Sequence, residues 1–201
     1  MVKTRRCSWC GDDPLYVDYH DHEWGVPEFD GQALFERLVL EGMQAGLSWY
    51  TVLKKREQMR AQFFEFDPQR LASGGARRLE RWLQDPGLIR HRGKLNSVIA
   101  NAKAYRQLDD FPGLIWSFVG GVPRQNRWDS LADVPAQTAE SQAMARELKK
   151  AGFKFVGPTT CYAFMQSAGL VNDHLLSCPA YRQCQDHAQA LTAARTTDWT
   201  P

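Results

Sequence analysis

A chain of 201 residues with 43% hydrophobic and 24% charged side chains carries enough apolar material for a large buried core, which excludes disordered and fibrous classes. No apolar run approaches the ~20 residues of a membrane span, the N-terminus lacks an apolar signal core, and a net charge of +2 leaves nucleic-acid binding to local basic patches. Five cysteines, an odd number, argue against a disulfide framework and for a reducing, cytoplasmic setting with the thiols free or metal-bound.

Residues 1–29 are aromatic, polar and rich in turn formers, with a short helix expected around Leu15–Asp21. Asp30 suits the N-cap of a helix reaching about Ala45, whose apolar stripe through Phe35, Leu38 and Val39 is interrupted by Glu41. Two glycines, Gly42 and Gly46, permit close approach and end that helix. Ser48 then caps another running towards Phe64, with Lys54, Lys55 and Arg56 on its exposed side. Asp67-Pro68 opens a short helix, and Ala76–Gln84 forms one more before Asp85-Pro86-Gly87 breaks it.

The densest basic run, Arg90-His91-Arg92-Gly93-Lys94, is either a phosphate contact or a polar loop. It leads into a helix from Lys94 to about Leu108, and a shorter one covers Pro112–Val119. Residues 122–137 form the longest expected loop. Helices at 138–150 and 159–168 follow, and the tail beyond about Gln185 is polar, with a disordered course expected over 185–201. No period-2 strand is visible. The fold class is all-α, with one helical domain over residues 1–184.

Chemistry gathers at three places. Glu41 fits either a solvated helix face or an acid in a pocket wall, the latter favoured by Trp9, Tyr16, Tyr19, Trp24 and Trp49. Cys7 with His20, and His174 with Cys178 at i, i+4 on a helix face, can make a closed tetrahedral zinc set tying the chain ends together. Cys10, His22, Cys184 and His187 compete for that role, and spacing does not choose among them. Finally, Phe153–Gln166 reads as a tight turn between two helices, with Gly157 freeing the backbone, Thr159 or Thr160 opening the second helix, and Lys149, Lys150 and Lys154 nearby. It is either a phosphate-binding turn or an ordinary helical hairpin.

The segments Asp13–Pro27, Leu40–Trp49, Ile89–Lys94, Gly152–Gly157 and Gly169–His174 together resemble the 3-methyladenine DNA glycosylase I family, of the helix–hairpin–helix glycosylase superfamily. The resemblance implies a monomeric base-excision repair enzyme with two lobes around a base pocket. It would flip 3-methyladenine out of double-stranded alkylated DNA and hydrolyse its glycosidic bond, releasing the base. It further implies structural zinc at Cys7, His20, His174 and Cys178. Glu41, Tyr19 and Trp49 would line the base pocket beside Tyr16, Trp9 and Trp24, with Gly46 and Leu47 as a tip entering the duplex. Lys154, Gly157, Thr159 and Thr160 would contact DNA from the hairpin. Asp173 is a catalytic candidate or a support for its neighbour His174. Pro158, Thr159 and Thr160 stand where bifunctional relatives carry a lysine nucleophile, so an abasic site and no strand cleavage is the expected outcome. The rival classes are a zinc-stabilised damage-binding module and a catalytic zinc hydrolase.

Overall fold

Helix α2, Gly31–Gln44, is the element on which the others are assembled. The Asp30 side chain accepts from Ala33 N at 2.8 Å, satisfying one of the first-turn amides. Leu34, Phe35, Leu38, Val39, Leu40 and Met43 then bury a stripe at helical spacing. A computed structural model describes residues 6–197 of the chain, with side chains to Leu191.

Before α2 come a 3-10 turn at Ser8–Cys10 and helix α1, Pro14–His22, capped by Asp13 with proline in its first turn. After it the expected single helix from Ser48 divides into α3, Trp49–Leu53, and α4, Arg56–Gln62. The break at Lys54 and Lys55 lets Val52 and Leu53 bury on one side and Met59 on another. Arg56 is also not on an exposed face: its guanidinium holds Glu23 through two hydrogen bonds at 2.5 and 2.7 Å. Phe64, Glu65 and Phe66 follow with φ of 57°, 55° and 56°. Three left-handed residues in a row are unfavourable, and here they turn Phe66 fully into the core.

Helix α5, Pro68–Gly74, is capped by Asp67, and a 3-10 turn leads to α6, Leu79–Gln84. Both pack on α7, Arg92–Tyr105, which starts two residues earlier than the sequence suggests because His91 caps it. Helix α8 is Phe111–Ser117, α9 Ala139–Lys150, α10 Pro158–Ser167 and α11 Pro179–Thr197. One apolar cluster runs through α2, α7, α9 and α10, and a small satellite of Cys7, Cys178 and Ala180 sits with Trp9 and Leu175.

Three expectations are corrected. The fold is mostly helical but not wholly so, since Arg124–Gln125 (β1) pairs in parallel with Val171–Asn172 (β2), followed by a bridge from Trp128 to Leu175. Strands of two residues are too short to show alternation, and their partners are far apart in sequence. His174 and Cys178 share a turn rather than a helix, because α11 begins only at Pro179. Residues 185–197, expected as part of a disordered tail, continue α11, anchored by buried Cys184 and Ala188; positions 198–201 lie outside the described residues.

Candidate active site

A cavity of about 340 Å³ opens between the N-terminal segment, the end of α2, α10 and the 126–137 loop. Trp9, Tyr16, Tyr19, Trp24, Glu41, Trp49 and Asp173 all line it, so the structure brings seven of the residues singled out in the sequence to one place. The volume is in the range of small-ligand sites. The aromatic wall is continuous. Trp9 lies 5.2 Å from Tyr16 and 5.0 Å from Trp24 between ring centroids, and Tyr19 lies 5.2 Å from Trp49. The Tyr19 hydroxyl and the Trp49 indole N–H are buried without a hydrogen-bond partner among the described residues, an expensive arrangement in a folded chain.

Glu41 is buried, with 5% of its surface exposed. Burial pushes its carboxyl up to about 8, eased only in part by the Ser167 hydroxyl and the Arg37 guanidinium. Arg37 is itself fixed by the carbonyls of Ser167 and Glu23 and by Glu28. The free pocket therefore holds a neutral acid at pH 7, ready to ionise when positive charge enters.

Asp173 reaches the cavity with its oxygens engaged. Oδ1 accepts from Asn126 Nδ2 and Trp128 Nε1, both at 2.7 Å, while Oδ2 accepts from Tyr162 Oη at 2.6 Å and Gln166 Nε2 at 2.8 Å. Four donors use all the lone-pair positions of a carboxylate. Asp173 thereby ties the loop that contributes Leu131, Val134 and Pro135 to α10. Asp173→Asn presents an NH₂ to two of those donors and is expected to cost about 2–4 kcal/mol. Thermal melting checks this; an unchanged melting temperature would show that the four bonds do not hold the wall.

Six further lining residues escaped the sequence reading: Gln44, Leu131, Val134, Pro135, Ala163 and Gln166. Gln44 lay inside the α2 pattern next to Glu41. The loop residues carry no periodic signal, and only the β1–β2 pairing brings them over the cavity.

Behind the aromatic wall, Cys7, His20, His174 and Cys178 place their ligand atoms within 4.8 Å of one another, all four residues buried. Cys7 Sγ is 3.7 Å from His174 Nδ1, and Cys178 Sγ is 3.6 Å from His20 Nε2 and 3.8 Å from His174 Nδ1. A tetrahedron with metal–sulfur bonds of ~2.3 Å and metal–nitrogen bonds of ~2.0 Å has sulfur–nitrogen edges of about 3.5 Å, close to the three observed, so this set can hold a metal ion. The outer ring nitrogens are engaged too, His20 Nδ1 with Asp21 at 2.7 Å and His174 Nε2 with the Trp24 carbonyl at 2.9 Å, fixing both tautomers for ligation. A hydrogen bond from Cys7 holds Cys178 well below the usual thiol range, and the same bond pushes Cys7 up.

The competing residues fall outside the cluster. Cys10 Sγ bonds the Cys7 carbonyl, His22 is exposed and pairs with Asp18, Cys184 faces the Trp24 carbonyl, and His187 is exposed. Trp9 lies 5.1 Å from the His20 ring and Trp24 4.6 Å from that of His174, so cluster and cavity share a wall.

The two turns expected to meet DNA lie at the surface. Gly46 has φ +76°, which only glycine adopts readily, and it presents Leu47, 40% exposed. In the 151–157 turn the left-handed positions are Gly152 and Phe155, not Gly157, whose φ of −71° is ordinary. An added Cβ at Gly157 would meet nothing within 4 Å, so no part of the chain itself requires glycine there. No side chain caps α10, leaving the amides of Thr159 and Thr160 at its open first turn, and Lys154 is exposed beside them. The basic run 90–94 is not one patch. Arg92 pairs with Glu80 at 2.6 and 3.0 Å, His91 caps α7, and Lys94 is buried.

The model of the methyladenine glycosylase family matches residues 9–182. Over 180 residues the chain is 52% identical to DNA-3-methyladenine glycosylase 1 of Escherichia coli (strain K12), covering 88% of this chain and 96% of that protein. It is 53% identical over 180 residues to DNA-3-methyladenine glycosylase of Haemophilus influenzae (strain ATCC 51907 / DSM 11121 / KW20 / Rd), covering 88% and 97%. Among solved structures it superimposes on a crystal structure of 3-methyladenine DNA glycosylase I with TM-score 0.85 at 53% identity, covering 87% of this chain and 98% of that one. The 3-methyladenine DNA glycosylase I from Staphylococcus aureus, solved to explain its recognition of 3-methyladenine, matches with TM-score 0.84 at 36% identity, covering 87% and 95%.

Proposed function

The chain belongs to the methyladenine glycosylase family, and from that premise we propose that it is a monofunctional DNA-3-methyladenine glycosylase. It extrudes the methylated base from double-stranded alkylated DNA, releases it by hydrolysis and leaves an abasic site for base-excision repair. The observation that carries this reading is a buried acid in a cavity lined by five aromatic side chains.

The chemistry follows from the residues. 3-Methyladenine in DNA is cationic, so Trp9, Tyr16, Tyr19, Trp24 and Trp49 offer faces for stacking and cation–π attraction. Glu41 ionises opposite that charge and makes a charge-assisted hydrogen bond that neutral adenine does not reward. The methylated base is already a good leaving group, so positioning and charge complementarity supply most of what is needed. We assign Asp173 to holding the loop wall rather than to stabilising the sugar cation, on its four engaged lone pairs. No lysine lines the cavity among the described residues, and Pro158, Thr159 and Thr160 follow the hairpin glycine, which supports the monofunctional assignment.

The four Cys and His ligands fit structural zinc, which when bound would fasten the N-terminal segment to residues 174–178 with a closed coordination sphere. We read α9, the 151–157 turn and α10 as a helix–hairpin–helix in which the Thr159 and Thr160 amides and Lys154 meet a phosphate that approaches over Gly157. Gly46 and Leu47 form the tip that enters the duplex. We take the protein to act as a monomer, and its odd number of cysteines, five, supports a reducing cytoplasmic setting.

Incubation with methylated duplex DNA is expected to release 3-methyladenine but not 7-methylguanine, with strands intact until alkali cleaves them. Cleavage without alkali overturns the monofunctional reading. Absence of base release by folded, metal-loaded protein favours a damage-binding module instead.

A further inference from the structure

Helix α7 lines no part of the cavity, yet two of its buried polar side chains reach the two turns assigned to DNA. Lys94 is 5% exposed and donates from Nζ to the carbonyls of Met43 at 2.7 Å and Ala45 at 2.6 Å. These lie at the C-terminal end of α2, where carbonyls lack helical partners and the dipole favours a cation. Lys94 takes part in no ion pair among the described residues, so its buried charge is answered at the foot of the Gly46–Leu47 tip.

Seven residues on, about 10 Å along the same helix face, Asn101 is 3% exposed and brackets the backbone of Lys154. Its Nδ2 donates to the Lys154 carbonyl at 3.1 Å, and its Oδ1 accepts from Lys154 N at 2.7 Å. Asparagine is a poor choice for a helix interior, so this position breaks a local rule for a tertiary contact. The next residue, Phe155, holds φ +56°, and a Cβ on Gly42 of α2 would stand 3.3 Å from the Phe155 Cβ. The end of α2 that carries the tip, the turn and α7 thus form a closed triangle.

We propose that Lys94 and Asn101 are positioning residues that hold the tip and the hairpin turn in one register, so that both engage a single duplex at the separation needed to extrude a base. The inference rests on the glycosylase reading and deepens it, by assigning to α7 the coupling between backbone grip and base access.

The test uses the full metal-loaded chain with Lys94→Met, Lys94→Arg and Asn101→Ala. Three quantities are read: kcat/KM for base release from methylated duplex, Kd for free 3-methyladenine by tryptophan fluorescence, and thermal melting. Duplex kcat/KM is expected to fall tenfold or more in Lys94→Met and Asn101→Ala, with free-base Kd within twofold of wild type. Lys94→Arg, able to donate to both carbonyls, recovers most of the loss. Free-base Kd moving in parallel with duplex activity would mean that the residues only stabilise the fold, and unaltered duplex activity would mean that they align nothing; either overturns the proposal. If Lys94→Met shows no melting transition, Lys94→Arg and Asn101→Ala decide. A wild type that releases no base defeats the functional reading itself, whereas an active wild type with equally active variants defeats only this inference.

Discussion

Glu41→Gln is expected to lower kcat/KM for 3-methyladenine release by about 10²-fold, equivalent to ~3 kcal/mol, while making the free protein more stable. The catalytic loss is that of a charge-assisted hydrogen bond and its ion–ion attraction inside a desolvated pocket. The gain in stability comes from the same burial. In the unfolded chain the Glu41 carboxyl ionises near its ordinary 4.5, whereas in the folded pocket it stays protonated up to about 8. A group raised in this way favours the folded state fully below pH 4.5, and that advantage is lost as the pH rises through about 8. Glutamine removes the titration, so the variant's advantage should grow between those two values, to an upper bound of about 5 kcal/mol, and stay constant above.

Two measurements check this. Melting temperatures across pH 5–9 should diverge in favour of the variant as pH rises. The wild-type kcat/KM should climb as the free pocket acid ionises towards about pH 8, a limb that the variant lacks. Equal stability curves would show that the carboxyl is not desolvated as its surroundings imply; undiminished base release would remove Glu41 from the site.

Loss of the metal should have the second large effect, on stability first and activity through it. Zinc content is expected at one ion per chain, abolished by Cys178→Ala and retained in Cys10→Ala and His22→Ala, whose side chains have other partners or face solvent. The Cys178 variant, or chelation of the wild type, should cost about 3–5 kcal/mol, because a coordinated ion contributes its binding energy to folding. For a chain of this size that is roughly 10–15 °C in melting temperature. Base binding should weaken as well, since Trp9 and Trp24 rest against the rings of His20 and His174. Full zinc occupancy in Cys178→Ala would reject the assigned ligand set.

Much of the helical framework was legible locally. Asp30, Ser48 and Asp67, read as caps from the sequence, each cap a helix with the side-chain oxygen that the cap requires, and Asp13 and Asp110 do the same without having been singled out. These signals act over three or four residues, so one stretch contains the whole interaction. The resemblance supplied the pocket residues, and the cavity gathers the seven aromatic and acidic ones. What was misread depends on distant partners. Lys94 belonged to a basic run and looked like surface, yet its charge is buried because two carbonyls fifty residues away receive it. His174 and Cys178 had helical spacing but lie in a turn, since β2 and the Trp128–Leu175 bridge claim the backbone just before α11.

By itself the sequence determined where most helices begin, which faces are apolar and which residue types carry the chemistry, because capping and periodicity are short-range. Spacing left the choice among the cysteines and histidines open and the resemblance named four of them, but only the tertiary structure gathered those four, buried Glu41 rather than leaving it solvated, and gave Asp173 its four partners across the loop wall. Those properties are set by desolvation and by groups converging from opposite ends of the chain, and no local pattern encodes how much water a folded chain leaves around a side chain.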